Sequence, residues 1–193
     1  MTLDPAMLWR LLLDTVRSPA EVARIILRLG LERDALWMAL GLVTVISVLV
    51  AAVLGLMLPV PEDAARDTIP LTPFLYAVIL GGALIVMVFA LHFTGLMLGG
   101  EGQFEDTLAL VVWLQVVLIA LQVVQSVSFV VLPALAALIT VGSVALAIWV
   151  LVNFINEAQR FGSLGRAFAT TLVALVGLSL GLSVLLGIIG ASI

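Results

Sequence analysis

Residues 107–156 decide the fold: TLALVVWLQVVLIALQVVQSVSFVVLPALAALITVGSVALAIWVLVNFIN. These 50 residues contain no Asp, Glu, Lys or Arg. A charge at the bilayer centre costs at least ~2.5–3.5 kcal/mol, so charge-free runs mark membrane spans. A helix needs about 20 apolar residues to cross the ~30 Å hydrocarbon layer. As one helix this run would reach roughly 75 Å, so it must double back. The turn is expected within 125–133, where Gln125, Ser126, Ser128 and Pro133 interrupt the apolar sequence.

Three more charge-free runs lie outside it, at 35–61, 68–100 and 167–193. The spans are therefore placed at about 35–59, 73–98, 108–127, 132–153 and 167–190. A four-span arrangement with a re-entrant third segment is the alternative. The expected fold class is all-α: a five-helix transmembrane bundle (35–193) preceded by short amphipathic cytoplasmic helices (1–34). Composition agrees. Of 193 residues, 64% are hydrophobic and 10% charged, against about 45–50% and about 25% in soluble domains. Such a chain is not a soluble enzyme or a disordered tail. Eight Arg against twelve acids leave a net charge of −4, the wrong sign for a nucleic-acid binder. There is no cysteine and one histidine, His92, so neither a metal nor a cofactor is expected.

Arginine placement sets the expected orientation. Arg10, Arg17, Arg24, Arg28 and Arg33 precede the first span, Arg66 follows it, and Arg160 and Arg166 lie between the last two. Five spans then gather seven Arg on one side and one on the other. This predicts a multi-pass protein of the bacterial inner membrane, with a cytoplasmic N-terminus and an exterior, periplasmic C-terminus.

Residues 1–34 read as two amphipathic helices. Asp4-Pro5 caps the first, and Ser18-Pro19-Ala20-Glu21 forms a capping box for the second, with reciprocal side-chain bonds. Gly30 is expected to end it in the left-handed region. Either these helices pack on the bundle, or they lie in the headgroup layer with Arg10, Arg17, Arg24 and Arg28 as membrane-surface arginines.

Inside the spans the candidates are small and polar. Thr170, Ala174, Gly177 and Gly181 fall within about 60° on a helix, with Ser179 and Ser183 nearly opposite. These residues, with Gly95 and Gly99, are candidate helix-packing sites. Gln115, Gln122 and Ser126 fall within about 40°, with Gln125 to one side. An amide facing lipid would be unsatisfied, so this stripe is expected to face the interior, as interhelical glue or as the wall of a wet path. His92 is expected to be a hydrogen-bonded structural residue, because no span interior holds an acid to complete a proton relay. Glu157 is positioned to pair with Arg160. Glu105 or Asp106 should lie within salt-bridge reach of an Arg from the N-terminal segment or the last loop.

The loop Gly99-Gly100-Glu101-Gly102-Gln103-Phe104-Glu105-Asp106-Thr107-Leu108 follows two spans and precedes three. With the Pro-led helix at Ser18-Pro19-Ala20-Glu21-Val22, this layout resembles the Yip family of Ypt/Rab-interacting membrane proteins, specifically its bacterial branch. The resemblance implies that fold and topology, and a non-enzymatic organiser of membranes. Physically, Gly99, Gly100 and Gly102 permit a tight cytoplasmic turn with positive φ. A phosphate-cradling loop would also need a Lys and an α/β setting. The expected function is scaffolding, with membrane lipids as partners and other membrane proteins or further copies as additional ones. The alternative is a small oligomeric transporter, channel or lipid-translocating protein.

Overall fold

The computed structural model describes residues 5–57, 72–131 and 133–191. Among these the chain is helical apart from short connections. The helices are α1 (Pro5–Arg17), α2 (Pro19–Arg28), α3 (Arg33–Met57), α4 (Pro73–Met97), α5 (Phe104–Val131), α6 (Pro133–Ala158) and α7 (Leu164–Ala191). Helices α3 to α7 are each long and apolar enough to cross a membrane. The all-α bundle is therefore the fold, with five such helices rather than four. Asp4, the 62–67 loop and the end of the first expected span lie outside the described residues.

Four helices begin at proline. The first helical position has no intrahelical N–H partner, so nothing is lost there by proline's missing donor. Thr72 caps α4, its Oγ1 accepting from the Leu75 amide at 3.2 Å. The 50-residue run folds back inside the expected 125–133 window, at its far end. Helix α5 continues through Gln125–Ser128 to Val131, and α6 starts at Pro133. The serines do not break it because each hydroxyl donates to the carbonyl four residues back: Ser126 to Gln122 at 2.9 Å and Ser128 to Val124 at 2.8 Å. Such back-bonding lets a helix carry serine. At the other end, α5 and α6 extend about one turn past the apolar sequence, so Glu105, Asp106, Asn156 and Glu157 sit on helices.

The capping box also needs correction. The Ser18 side chain makes no cap bond. Its carbonyl instead accepts from the Glu21 and Val22 amides at 3.1 and 3.2 Å. Gly30 does take the left-handed conformation, with φ +55°.

Among the described residues the buried ones collect at one end of the bundle, where α3, α5 and α7 begin and α4 and α6 end. They include Leu36 and Leu40 of α3, Val88 and Leu91 of α4, Leu108 to Leu114 without Val112 on α5, Phe154 and Ile155 of α6, and Ala167 and Thr170 of α7. We call this the proximal end, because α1 and α2 dock there. Helix α5 packs on α3, α4 and α6, while α7 closes against α4 and α6.

Candidate functional site

Two connections and the N-terminal hairpin meet at the proximal end. Helix α4 ends in a Schellman motif. The Gly100 amide donates to Gly95 O at 2.9 Å and the Gly99 amide to Leu96 O at 3.1 Å. This requires a left-handed residue after the cap, and Gly99 supplies it with φ +84°. Of the three turn glycines only Gly99 has positive φ; the expectation for Gly100 and Gly102 is corrected. Those two are glycine because of close approach. A Cβ on Gly100 would come within 2.6 Å of Gln159 Oε1, and one on Gly102 would run into the Ala158 carbonyl.

Gln159 is the plug in this cradle. It is wholly buried, against Gly95 on one side and Gly100 on the other. Its Nε2 donates to Thr107 Oγ1 at 3.2 Å, and its backbone carbonyl accepts from the Glu101 amide at 3.0 Å. Oε1 has no hydrogen-bond partner among the described residues. One residue, by side chain and backbone, thus joins the end of α4, the start of α5 and the end of α6. Gly95 lies against this glutamine rather than against another small residue.

Phe104 is the second junction. Its ring lies 4.9 Å from Phe89, 5.5 Å from His92 and 6.0 Å from Trp37, centroid to centroid. The Arg33 guanidinium sits over it at 5.6 Å, within cation–π range. His92 packs edge-on against Phe104 and Phe93. Its Nδ1 is buried with no partner among the described residues, and its ring packs between Phe93 and Phe104.

Ion pairs ring these junctions. Arg33 pairs with Glu105 at 3.9 Å and Arg160 with Asp106 at 3.6 Å, as the acidic loop led us to expect. Glu157, however, pairs with Arg24 of α2 at 3.8 Å, not with Arg160. The cause is local. Arg160 lies past the helix end with φ +55°, which breaks the helical spacing that would have set it over Glu157. Asn156 Oδ1 accepts from the Ser163 amide at 2.9 Å, bracing the turn into α7.

The hairpin docks by α2, which buries Val22, Ala23 and Ile26 against α5 and α6. Helix α1 is held by a polar bond. Trp113 Nε1 donates to Thr15 Oγ1 at 3.0 Å, and Thr15 donates onward to Leu11 O at 2.7 Å. Trp9, Leu13 and Val16 on α1 remain exposed. Arg10, Arg17, Arg24 and Arg28 are all exposed too. Of the four, Arg24 alone has an ion pair among the described residues.

The polar stripe of α5 is not used as a unit. Gln115 is buried and its Nε2 donates to Ser47 Oγ of α3 at 2.9 Å. Gln122, Gln125 and Ser126 are half-buried. On α7, Thr170 and Ala174 are buried, whereas Gly177, Ser179, Gly181 and Ser183 are exposed. A Cβ on Gly177 or Gly181 would meet open space. Sequence reasoning missed Gln159, Phe104, Thr107, Thr15 and Trp113 as site residues. Phe104 and Thr107 stood inside the quoted glycine loop and could have been taken with it. Gln159 and the Thr15–Trp113 bond carry no local signal, since the partners lie 52 and 98 residues apart. No group of three His, Asp or Glu side chains gathers to hold a metal among the described residues.

Comparison with curated proteins and with solved structures gave no match. A family model, described as the Yip1 domain, matches residues 13–185. The match begins within α1 and runs into α7, so it takes in the docked α2, the glycine cradle, α3 to α6 and most of α7. On that extent of agreement, the chain belongs to the Yip1 domain family.

Proposed function

We propose that this protein is a non-enzymatic organiser of the bacterial inner membrane, acting through its packed helices and its arginine-bearing N-terminal hairpin. The observation that carries this reading is the two-sided character of α1. One face is bonded to the bundle through Thr15 and Trp113. The neighbouring face presents Trp9, Leu13 and Val16 outward, with Arg10 and Arg17 beyond them. An amphipathic helix with an exposed aromatic, aliphatic residues and arginines suits the headgroup boundary. The proximal end is cytoplasmic in this reading, because seven of the eight arginines fall on its side.

The buried polar groups support a scaffold over a conduit. Gln115 is committed to Ser47 at the α3–α5 contact, where a path for ions would need it free to meet solvent. The test replaces Gln115 and Gln122 with Leu and measures detergent stability and the flux of ions and labelled lipid in liposomes. The scaffold reading expects altered stability and no flux above empty liposomes in either protein. Wild-type flux that the substitutions abolish in a folded protein overturns it. Reporter fusions at Gly162 and Ile193 should mark opposite sides of the membrane, and the same side for both would defeat the orientation.

A further inference from the structure

Beneath the α1–α2 hairpin lies a cavity of about 370 Å³. Its floor is Leu11, Ile26, Leu36 and Trp113, all buried. Its rim carries Ile25, Leu29 and Leu31, which are 41%, 41% and 47% exposed. The size falls at the low end of ligand pockets, about 300–1,000 Å³, and every lining side chain except the Trp113 indole is wholly hydrocarbon or thioether. The indole N–H is already taken by Thr15. The walls therefore offer a ligand nothing but apolar contact.

Depth and charge identify the occupant. Leu36 stands three residues into α3 and Trp113 nine into α5, so the floor lies about 5–14 Å from the helix ends. Headgroups give way to acyl chains at that depth, since interfacial helices sink about 5–10 Å into the same boundary. Arg28 directly precedes the rim residue Leu29 and lies about 60° round α2 from Ile25. It is exposed and has no ion pair among the described residues. A guanidinium at the mouth of an apolar cleft fits a phosphate head on a hydrocarbon tail.

We propose that this cavity takes one acyl chain of an anionic phospholipid from the leaflet at the proximal end, with its phosphate beside Arg28. The proposal rests on the chain's place in a membrane and not on the organising role, so the two can fail separately. Lipid fills the site because the rim opens beside the membrane-facing flank of α3, where Met38 and Leu42 are exposed. The acyl chain supplies the carbon contacts that an empty cleft would lack.

Trp113 makes the test direct. The other three tryptophans, Trp9, Trp37 and Trp149, are replaced by Phe in the full-length chain. The protein is then reconstituted in phosphatidylcholine vesicles containing a minor share of phosphatidylglycerol brominated on its acyl chains. Bromine quenches indole only on close approach, and Trp113 is shielded from bulk lipid by its own protein. The expected result is a loss of Trp113 emission at least as large as that of a variant keeping only the exposed Trp149. Brominated phosphatidylcholine at the same share should quench Trp113 less. Ala39→Leu, which fills the cavity, should restore emission, and Arg28→Gln, an exposed change that leaves the fold alone, should erase the headgroup preference. Absence of Trp113 quenching while Trp149 is quenched means a void and overturns the proposal. So does equal quenching by the two headgroups, or quenching by aqueous iodide in place of bromolipid.

Discussion

The two ends of this bundle are built differently. At the proximal end the helices are buried against one another and tied by side chains: Gln159 in its glycine cradle, Phe104 among three rings, Trp113 bonded to Thr15, and three ion pairs. Towards the distal end several described apolar residues face outward. Leu56 is 89% exposed, Phe74 79% and Leu138 70%. Between them the bonds thin out to Gln115 with Ser47 and hydroxyls turned back on their own helices, such as Ser143 to Ile139 and Ser179 to Leu175. Lipid tails are as apolar as leucine, so burying leucine between helices brings little in a membrane. Specific contacts need small residues or polar bonds, and among the described residues these concentrate at one end. Among the described residues, the proximal end is where the structure is specified.

The sharpest way to break this contrast is a pair of identical changes. Gly102→Ala should cost about 3 kcal/mol, at the upper end of overpacking effects, because the new methyl meets backbone at Ala158 and no side chain can move aside. Gly177→Ala should gain about 0.5–1 kcal/mol, since it adds helix propensity in open space. Thermal unfolding in one detergent compares them, and equal effects would erase the distinction between the ends.

A smaller loss is expected at the hairpin. Thr15→Val keeps the shape but leaves the buried Trp113 N–H without its acceptor, at about 2 kcal/mol. Hydrogen exchange should quicken in α1 while the distal half of α7 is unchanged. Exchange that quickens evenly through the bundle would mean that α1 is not a separately docked element.

Gln115→Leu tests the mid-bundle bond. Its coupling to Ser47→Ala in a double-mutant cycle should be about 0.6 kcal/mol, the average for interhelical bonds in membranes. Ser47 also donates to Val43 O at 2.7 Å, so the hydroxyl is not orphaned when Gln115 is lost. A coupling near zero would move the lower limit of the specified region up to Trp113.

The ion pairs should matter least. Asp106→Asn breaks the pair with Arg160, whose side chain is 60% exposed, and exposed pairs contribute ~0–1 kcal/mol. Raising salt should shrink the difference between this variant and the wild type. An effect as large as that of Thr15→Val would show these charges to be structural ties rather than orienting contacts.

The sequence reveals the site unevenly. Charge-free runs announce the long helices, because the penalty for a buried charge acts on every residue of a span and needs no partner. Gly99 and Gly30 were readable as helix terminators, because a left-handed residue is a local demand. The role of Gly102 was not, because it depends on a carbonyl 56 positions away at Ala158. The expected Glu157–Arg160 pair follows helical spacing correctly but assumes that the helix continues, and it ends at Ala158. The small stripe of α7 was legible as a pattern. That only its proximal part, Thr170 and Ala174, meets a neighbour was not.

By itself, then, the sequence determined the solvent this chain belongs in, its helical class, the presence of five apolar helices and the amphipathic character of the two before them. These follow from composition and period, which each segment expresses alone. Only the tertiary structure decided that α1 hangs from Trp113, that Glu157 answers Arg24 and that Gln159 fits between Gly95 and Gly100. It also decided that a carbon-lined cleft stays open beside Arg28. Each of these is a meeting of residues far apart in sequence, and in a chain of nearly uniform hydropathy many such meetings are equally apolar. What selects among them is the fit of a few polar groups and the space left by missing side chains, and that exists only once the helices are side by side.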